Sequence, residues 1–593
     1  MIFTKIISVL LSAIMSFGAL TFPGVQNVPD MFTTLLFGMP VTQNAVNDEY
    51  RKSIDYSTLQ FFDSTSAFAK NKLVLILDPS AGFFEKYSLF AKEGLKALGW
   101  CTPVDLYIVS DYFASAADMI AECERLEEYD EILMAAPLTV SEMSDCLTPD
   151  DPFDPDYFNS WNENDPEGPR WWLEAIDARQ AWDYLPLINK TTVGIVDSGV
   201  NTEHPDLAGL ISFPNSKQQK RNVPGDHGTH VPGIVSAIQN NGEGICGVFP
   251  GAPIVYQDWM PDEGQKWNDE ISLVFSLVNE VKAGAKVINY SVGKSSSVAE
   301  DASSLSDRTM RIDGYIYTYA VAAMLSRGYE FLILEAAGNG NSGGSRLDAV
   351  NAGLFAAVHS GYIFTGLHRV SKDDIINHVM LVGAAKNDYY GKYTQADFSN
   401  VGPYVEIAAP GVRVYSCAAD GGYRYMGGTS MAAPVVTAVA AMVFGANPSL
   451  TAKEVKEILV SATDCVAKAN KTAGYMGSYE LNDLPMVNAK LAVEKALILK
   501  NPGMKRIEGT CPGAENGTAV YAGKQYTVLP DGSYSFLAGA DEGGEISFLD
   551  SDGNPVTPDS GENGQDEGPD TPQEGGDTGP IDDTVTEPVT DPE

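Results

Sequence analysis

The stretch Tyr425-Met426-Gly427-Gly428-Thr429-Ser430-Met431-Ala432-Ala433-Pro434 joins a glycine turn to a run of small apolar residues that reaches Ala446. The two glycines permit backbone angles closed to other residues, Thr429 can cap a helix, and the apolar run predicts a buried helix. Ser430 would lie in the first turn, where unpaired N–H groups and the helix dipole favour negative charge. This position suits a nucleophilic serine, although a capped core helix would have the same pattern.

A serine hydroxyl is a weak nucleophile at neutral pH, so it needs a histidine base and usually an acid that orients the histidine. The run Asp226-His227-Gly228-Thr229-His230 places a histidine at the start of an apolar helix, and the buried run Thr192 to Gly199 contains Asp197 at its strand end. Taken alone, Asp197 could be a turn-forming carboxylate. His230 is interpreted as a supporting residue on the helix of His227. The other four histidines are interpreted as structural: His204, His359, His368 and His378.

Two further buried runs, 286–293 and 331–340, predict strands that end in small residues. Small residues leave room for a substrate backbone to pair with the strand edges. Asn339 follows the second strand and could donate a side-chain N–H to an oxyanion. Taken alone, it fits a turn residue between Gly338 and Gly340 better.

Four motifs, in this order, resemble those of the subtilisin-like serine proteases, or subtilases. They are Asp197-Ser198-Gly199, His227-Gly228-Thr229-His230, Ala337-Gly338-Asn339 and Gly428-Thr429-Ser430-Met431-Ala432-Ala433-Pro434. The order Asp, His, Ser separates them from the chymotrypsin and α/β-hydrolase arrangements, and subtilisin is the standard example of it. The resemblance covers about residues 150–499 and implies an α/β catalytic domain with a doubly wound parallel sheet. Val435 stands where the family often has histidine, and the interval from His227 to Ser430 is long for the family.

The resemblance implies a secreted serine endopeptidase that acts on protein or peptide substrates through an acyl-enzyme intermediate. Ser430 would attack the scissile carbonyl, His227 would carry the proton, and Asp197 would orient His227. Asn339 and the Ser430 N–H would hold the oxyanion. The alternative from another class is a surface binding protein that keeps the fold without turnover. The implied substrate-contacting residues are Ser291, Val292, Gly293, Ala336, Ala337 and Gly338.

The resemblance also implies a structural calcium ion and no organic cofactor. Asp206 and Asn241 would supply side-chain oxygens, and Gln239, Glu243 and Ile245 would supply carbonyl oxygens. Calcium takes roughly 6–8 oxygen ligands, and a glycine-bearing loop can turn its carbonyls inward. A metal-free polar loop is the alternative, because Asn-Gly pairs are ordinary turn formers.

The segment before the catalytic region predicts three parts. Residues 1–20 resemble a signal peptide, although a single-span anchor is the alternative, and residues 21–70 have no clear periodicity. Residues 71–148 predict a small α/β module, with strands at 72–77, 105–109 and 131–135 and helices at 81–98 and 114–126. By resemblance, this module is an inhibitory pro-domain of the same chain, cut between about Thr139 and Asp150. An ordinary accessory domain is the alternative.

After the peptidase domain, assigned to 149–499, residues 500–556 predict a small β module and 557–593 an acidic disordered tail. The net charge of −40 argues against nucleic acid as a partner. The seven cysteines are too scattered for a disulfide framework or a metal cluster, so most are interpreted as buried thiols. No later segment is long enough to span a bilayer, so we expect a secreted protein, with retention at the cell surface left open.

Overall fold

The computed structural model describes most of the chain between residues 38 and 557. The described residues are 38–40, 44–61, 67–111, 113–142, 170–260, 267–269, 271–292, 307–340, 345–346, 348–349, 369–388, 392–477 and 479–557. The predicted signal peptide, most of the expected cleavage segment and the acidic tail lie outside them. The chain divides into two compact units, Met1–Met504 and Lys505–Glu593.

An antiparallel sheet with two helices forms the N-terminal module. Its strands are β1 Val46–Asn47, β2 Gln60–Phe61, β3 Ala67–Leu77, β4 Ala97–Cys101, β5 Leu106–Ser110 and β6 Ile132–Glu142. Its helices are α1 Phe83–Glu93 and α2 Ala116–Leu126, with 3-10 turns at Glu49–Ser53, Tyr56–Thr58 and Thr102–Val104. The strand order is β1-β4-β5-β3-β6, and β2 pairs with β3. The small α/β module predicted from the sequence is therefore present.

The prediction of one helix from Ala81 to Leu98 is wrong at its end. Helix α1 ends at Glu93, because Gly94 adopts a left-handed φ of 65° that terminates the helix. The chain then forms β4, which pairs with β1 and β5. Since β1 belongs to the unassigned segment 21–70, the module begins well before residue 71.

A mixed sheet forms the centre of the catalytic domain. Its strands are β7 Val193–Asp197, β8 Ile211–Ser212, β9 Ile254–Asp258, β11 Val287–Tyr290, β12 Leu332–Ala336, β13 Val379–Asn387, β14 Tyr393–Gln395, β15 Val405–Pro410, β18 Val466–Lys468 and β19 Leu484–Pro485. The order is β19-β18-β14-β13-β12-β11-β7-β9-β8, with β15 beside β13. Neighbours from β8 to β13, and β13 with β15, are parallel. The predicted doubly wound parallel sheet is confirmed.

Helices connect and cover this sheet, and two shorter strand segments lie outside it. The helices are α3 Trp171–Glu174, α4 Ala178–Trp182, α5 Ser216–Arg221, α6 Asp226–Ser236, α7 Ile271–Lys282, α8 Asp307–Ser326, α9 Lys372–Ile376, α10 Thr429–Ala446, α11 Ala452–Ser461 and α12 Ala489–Lys500, with a 3-10 turn at Leu185–Leu187. Strand β10, Trp267–Asp269, pairs with β6 of the module. Strands β16, Val414–Cys417, and β17, Tyr423–Met426, form a hairpin.

Helix α10 is buried along its whole length. Within the described ranges it is the one helix whose length and apolarity would allow it to cross a membrane, so the expectation that no later segment is long enough is wrong on length. Its complete burial makes it a core helix here. The six cysteines in the described part of the chain form no disulfide with one another.

The N-terminal module packs on the catalytic domain through α7 and α8. One hydrophobic core joins the module's sheet to residues of both helices, among them Val74 and Ile108 with Phe275 and Ala320. The hydroxyl of Tyr50 donates a hydrogen bond to Asp269, at the start of α7. Arg51 Nε lies 3.0 Å from the other carboxylate oxygen of Asp269, and both side chains are largely buried. The module is therefore held by apolar packing, strand pairing and a buried ion pair.

Glu280 on α7 is fully buried behind β7, where its carboxyl group lies so close to Gly194 that any side chain there would collide with it. Burial raises the pKa of Glu280 well above its ordinary value of 4.5. The unfolded chain releases this proton near its ordinary pKa while the folded chain keeps it. Folding stability is therefore lost as pH rises above that value.

We expect Glu280→Gln to remove this loss, because glutamine is neutral at every pH and has nearly the same shape. The melting temperature of the variant should match that of the wild type at about pH 4 and exceed it at about pH 8. The exposed Glu457 provides the control, since Glu457→Gln should show no such divergence. A Glu280→Gln variant that is less stable than the wild type at both pH values would contradict the expectation.

The second unit is the β module predicted for residues 500–556. Its strands are β20 Lys505–Thr510, β21 Thr518–Tyr521, β22 Lys524–Thr527, β23 Ser533–Ala538, β24 Ser547–Leu549 and β25 Pro555–Val556. They form the pair β20-β23 and the sheet β22-β21-β24-β25. Tyr526 and Phe536 stack in its core with ring centroids 3.8 Å apart.

Candidate active site

Asp197 and His227 form the first half of the site. Strand β7 ends at Asp197, which is 2% exposed, and His227 is the second residue of α6. His227 Nδ1 lies 2.6 Å from Asp197 Oδ1, and the Ser198 N–H donates to the same oxygen at 2.7 Å. An acceptor at this place fixes the imidazole with its Nδ1–H toward the carboxylate and leaves Nε2 as the basic nitrogen.

The turn after β7 holds the start of α6 in place. The Gly228 N–H donates to Ser198 Oγ at 2.9 Å, and Tyr256 OH donates to the Gly228 carbonyl at 3.0 Å. A side chain at position 228 would collide with the Ser198 carbonyl, so only glycine permits this approach. No supporting role for Ser198 is predicted from the sequence, where its only signal is a hydroxyl next to the acid.

Ser430 is the second residue of α10, which packs against α6. Its Oγ lies 3.2 Å from the Ser291 carbonyl oxygen, and Ser291 Oγ donates to the Ser430 carbonyl at 2.8 Å. The expectation that Thr429 caps the helix is wrong, because Gly428 is the N-cap residue and Thr429 is already helical. The small side chains and glycines thus bring Ser430 to the end of β11.

Asn339 follows β12 and is oriented by Thr429. Its Oδ1 accepts hydrogen bonds from the Thr429 N–H at 2.8 Å and from the Thr429 hydroxyl at 2.9 Å. The amide nitrogen Nδ2 is therefore the donor end of this side chain, and it faces Gly428, where a Cβ would lie 3.4 Å away. The amide lies beside the start of α10, as an oxyanion donor must.

The substrate-contacting residues predicted from the sequence lie at the carboxyl ends of neighbouring parallel strands. Ser291 and Val292 follow β11. Ala336 is the last residue of β12, and Ala337 and Gly338 follow it. The Gly338 N–H donates to Thr429 Oγ1 at 3.1 Å, which ties this run to α10. Gly293 lies outside the described residues. The other five positions therefore lie at the edge of the sheet where α10 begins.

The loop predicted to bind calcium brings Asp206 and Asn241 together but surrounds Asp206 with hydrogen-bond donors. Asn241 Nδ2 donates to Asp206 Oδ1 at 2.5 Å, while the Ile245 N–H and Tyr423 OH donate to Asp206 Oδ2 at 2.9 Å each. Asn241 Oδ1 accepts from the Glu243 N–H at 3.1 Å, which fixes the orientation of the amide. A cation needs oxygen lone pairs, whereas these groups present N–H and O–H protons to the carboxylate.

As placed, the predicted ligands do not fit a calcium ion. The Ile245 N–H donates to Asp206, so this residue meets the carboxylate as a donor, and the predicted carbonyl ligands Gln239 and Glu243 lie on the same partly exposed loop. His204 does not supply a metal ligand here either, because its Nδ1 accepts from the Asp206 N–H and its Nε2 lies 2.9 Å from the Gly422 carbonyl. Calcium binding stays a prediction, and this geometry favours the metal-free polar loop.

We expect the melting temperature of the purified protein to be the same in calcium and in chelator, because the Asp206 carboxylate is already satisfied. Asp206→Ala should lower the free energy of unfolding by about 1–3 kcal/mol, since it leaves buried donors without an acceptor. Thermal unfolding in EDTA and in millimolar calcium checks both. A calcium-dependent rise that disappears in Asp206→Ala would contradict the metal-free arrangement and restore the calcium prediction.

Comparisons with known proteins agree with this geometry. The model of the subtilase family matches residues 189–488, about half of the chain. A cell wall-associated protease of Bacillus subtilis is 28% identical over 298 residues, which are 49% of this chain and 28% of that protein. A thermostable alkaline protease of Halalkalibacterium halodurans is 29% identical over 326 residues, 55% of this chain and 73% of that protein.

Among solved structures, fervidolysin from Fervidobacterium pennivorans, a keratinolytic enzyme related to subtilisin, matches with a TM-score of 0.50 and 19% identity. The match covers 84% of this chain and 74% of fervidolysin, and it supports the fold. Since the chain spans 28% of the Bacillus subtilis protease, the activity of that whole protein does not transfer with the match. With the family model matched from residue 189 to 488 and with Asp197, His227 and Ser430 placed on its fold, this chain belongs to the subtilase family.

Proposed function

We propose that the protein is a serine endopeptidase that cleaves peptide bonds through an Asp197–His227–Ser430 triad. The observation that carries the proposal is the 2.6 Å contact between Asp197 and His227 at the start of α6, which packs against the helix that bears Ser430. This arrangement supplies an oriented base, and a nucleophile at the N-terminus of a buried helix.

In the proposed reaction, the Ser430 Oγ–H proton passes to His227 Nε2 as the oxygen attacks the scissile carbonyl carbon. The negative charge that develops on the carbonyl oxygen is stabilised by Asn339 Nδ2 and the Ser430 N–H. His227 then gives its proton to the leaving amine, and the carbon–nitrogen bond breaks to leave an ester on Ser430. Water, deprotonated by His227, hydrolyses the ester and restores the hydroxyl.

The proposal is tested by incubating the processed protein with an unfolded protein such as casein and mapping the new peptide termini. We expect internal cleavages whose rate disappears in Ser430→Ala. The absence of cleavage by wild type, or equal cleavage by the Ser430→Ala variant, would contradict the endopeptidase and favour the surface binding protein with a peptidase fold.

Asn339→Ala should lower kcat by roughly 10²–10³-fold with little change in KM, because the oxyanion forms only in the transition state. Thr429→Val is the matched control. It removes a hydroxyl that contacts both Asn339 Oδ1 and the Gly338 N–H, and it keeps the Nδ2 donor, so its loss should be smaller than that of Asn339→Ala. Steady-state kinetics on a peptide substrate measure both. Equal losses in the two variants would show that Asn339 acts by supporting the helix and not by binding the oxyanion.

We also propose that the N-terminal module is an intramolecular inhibitor that is cut off after export. Its sheet covers α7 and α8 and includes β10 of the catalytic domain, so the module binds the domain that it would inhibit. N-terminal sequencing of the secreted protein tests this, and we expect a mature start between about Thr139 and Asp150. Ser430→Ala should accumulate the uncut form. A fully active protein that starts near Thr21 would contradict the proposal that the module is an inhibitor.

A further inference from the structure

The hairpin of β16 and β17 leads directly into Ser430, and the buried His230 holds both of its strands. His230 lies one turn after His227 on α6 and is completely buried. Its Nε2 lies 3.0 Å from the Val414 carbonyl oxygen on β16 and 3.1 Å from the Arg424 carbonyl oxygen on β17. Both partners are acceptors, so Nε2 carries a proton and the two bonds share it.

The ring is neutral, which suits a shared donor in an apolar setting. Burial lowers the pKa of His230 to about 3, well below its ordinary value. One imidazole therefore links the helix of His227 to two strands of the hairpin without placing a charge beside His227.

Further contacts seat the hairpin on α6. Ser416 Oγ donates to the His230 carbonyl at 2.8 Å, and a side chain at Gly233 would lie 2.8 Å from Cys417 Sγ, too close for any residue but glycine. At the start of the helix, Asp226 accepts the Ala419 N–H at 3.0 Å and pairs with Arg424 at 2.5 Å. The hairpin therefore follows α6 along its first two turns.

We propose that His230 is a positioning residue that sets the separation of His227 and Ser430 through the β16–β17 hairpin. The proposal rests on the proposed function of the triad. His227 and His230 share one helix, and β17 ends four residues before Ser430. The hydrogen bond from His230 to β17 therefore connects the helix that bears the base to the segment that leads to the nucleophile. A displacement of about 1 Å between reacting groups can reduce a rate by roughly 10²-fold.

The test compares His230→Leu, His230→Gln and the control His378→Leu, which removes a buried histidine that contacts Asp374 and Glu330. Rates are measured well below each melting temperature, with a peptide substrate and with a fluorophosphonate. His230→Leu should lower kcat and the fluorophosphonate reaction rate by roughly 10–100-fold with little change in KM. His230→Gln, which keeps an N–H donor, should recover part of the loss. His378→Leu should lower only the melting temperature.

A folded His230→Leu that reacts at the wild-type rate would overturn the proposal while leaving the triad intact. A loss that His378→Leu reproduces would also overturn it, because any buried histidine would then have the same effect. If His230→Leu does not fold, His230→Gln and Ser416→Ala decide: a lowered kcat in both supports the proposal, and wild-type kcat in both overturns it. A wild-type protein that neither cleaves nor reacts would instead reject the proposed function.

Discussion

Replacing His227 with alanine should reduce kcat by roughly 10⁶-fold, the loss that removing one member of this unit produces in subtilisin itself. In the proposed reaction the His227 imidazole, oriented by Asp197, takes the Ser430 proton, and a serine hydroxyl without a base is a weak nucleophile. KM should change little, since the predicted substrate contacts are with the residues that follow β11 and β12 and not with His227. The melting temperature should also change little, because the His227 side chain is 19% exposed and is not part of the apolar core.

Steady-state kinetics on a peptide substrate, with protein concentration measured by absorbance, check this loss. The control is the double variant His227→Ala with Ser430→Ala, which should be no slower than either single variant because the two residues act as one unit. Losses that multiply in the double variant would contradict a shared proton transfer.

Asp197→Asn should lower kcat by about 10⁴-fold, the loss that the equivalent change produces in another serine protease with this triad. An asparagine oxygen can still accept from His227 Nδ1 and from the Ser198 N–H, so the fold should persist. The negative charge that stabilises the imidazolium is lost, and the amide can select the wrong tautomer of the histidine.

The matched control for Asp197 is Asp258, a buried carboxylate at the end of β9 that lies opposite Asp197 in the sheet register. Its Oδ1 accepts the Met260 N–H at 3.0 Å. We expect Asp258→Asn to leave kcat within a small factor of the wild-type value. If both variants lost activity equally, the effect of Asp197 would come from the sheet and not from its contact with His227.

The positions of Asp197, His227 and Ser430 on their strand and helices could be predicted from the sequence, because each residue lies in a local pattern that fixes its backbone. Asp197 ends a buried β run, His227 opens an apolar helix, and Ser430 follows two glycines at the start of another. These positions depend on periodicity and on short turns, and both are determined by residues that are close together in the sequence. The doubly wound sheet is implied by the resemblance of the four motifs to the subtilases, and the structure confirms it.

Features that depend on distant contacts could not be predicted in the same way. The pattern of residues 81–98 fits a helix. Gly94 ends the helix locally, but the strand that follows it is held by pairing with β1 and β5, which lie elsewhere in the chain. Asp206 and Asn241 look like metal ligands in sequence, yet Tyr423, more than two hundred residues away, is one of the donors that satisfy Asp206. The contacts of His230 with the hairpin are equally remote in the chain.

The most direct test of the account is covalent labelling of the processed protein by a fluorophosphonate, followed by peptide mapping of the modified residue. We expect one label on Ser430, which is lost when Ser430 is replaced by alanine and forms much more slowly when His227 is replaced by alanine. Labelling that is absent from the wild type, or that persists unchanged in Ser430→Ala, would contradict the claim that Ser430 is the nucleophile.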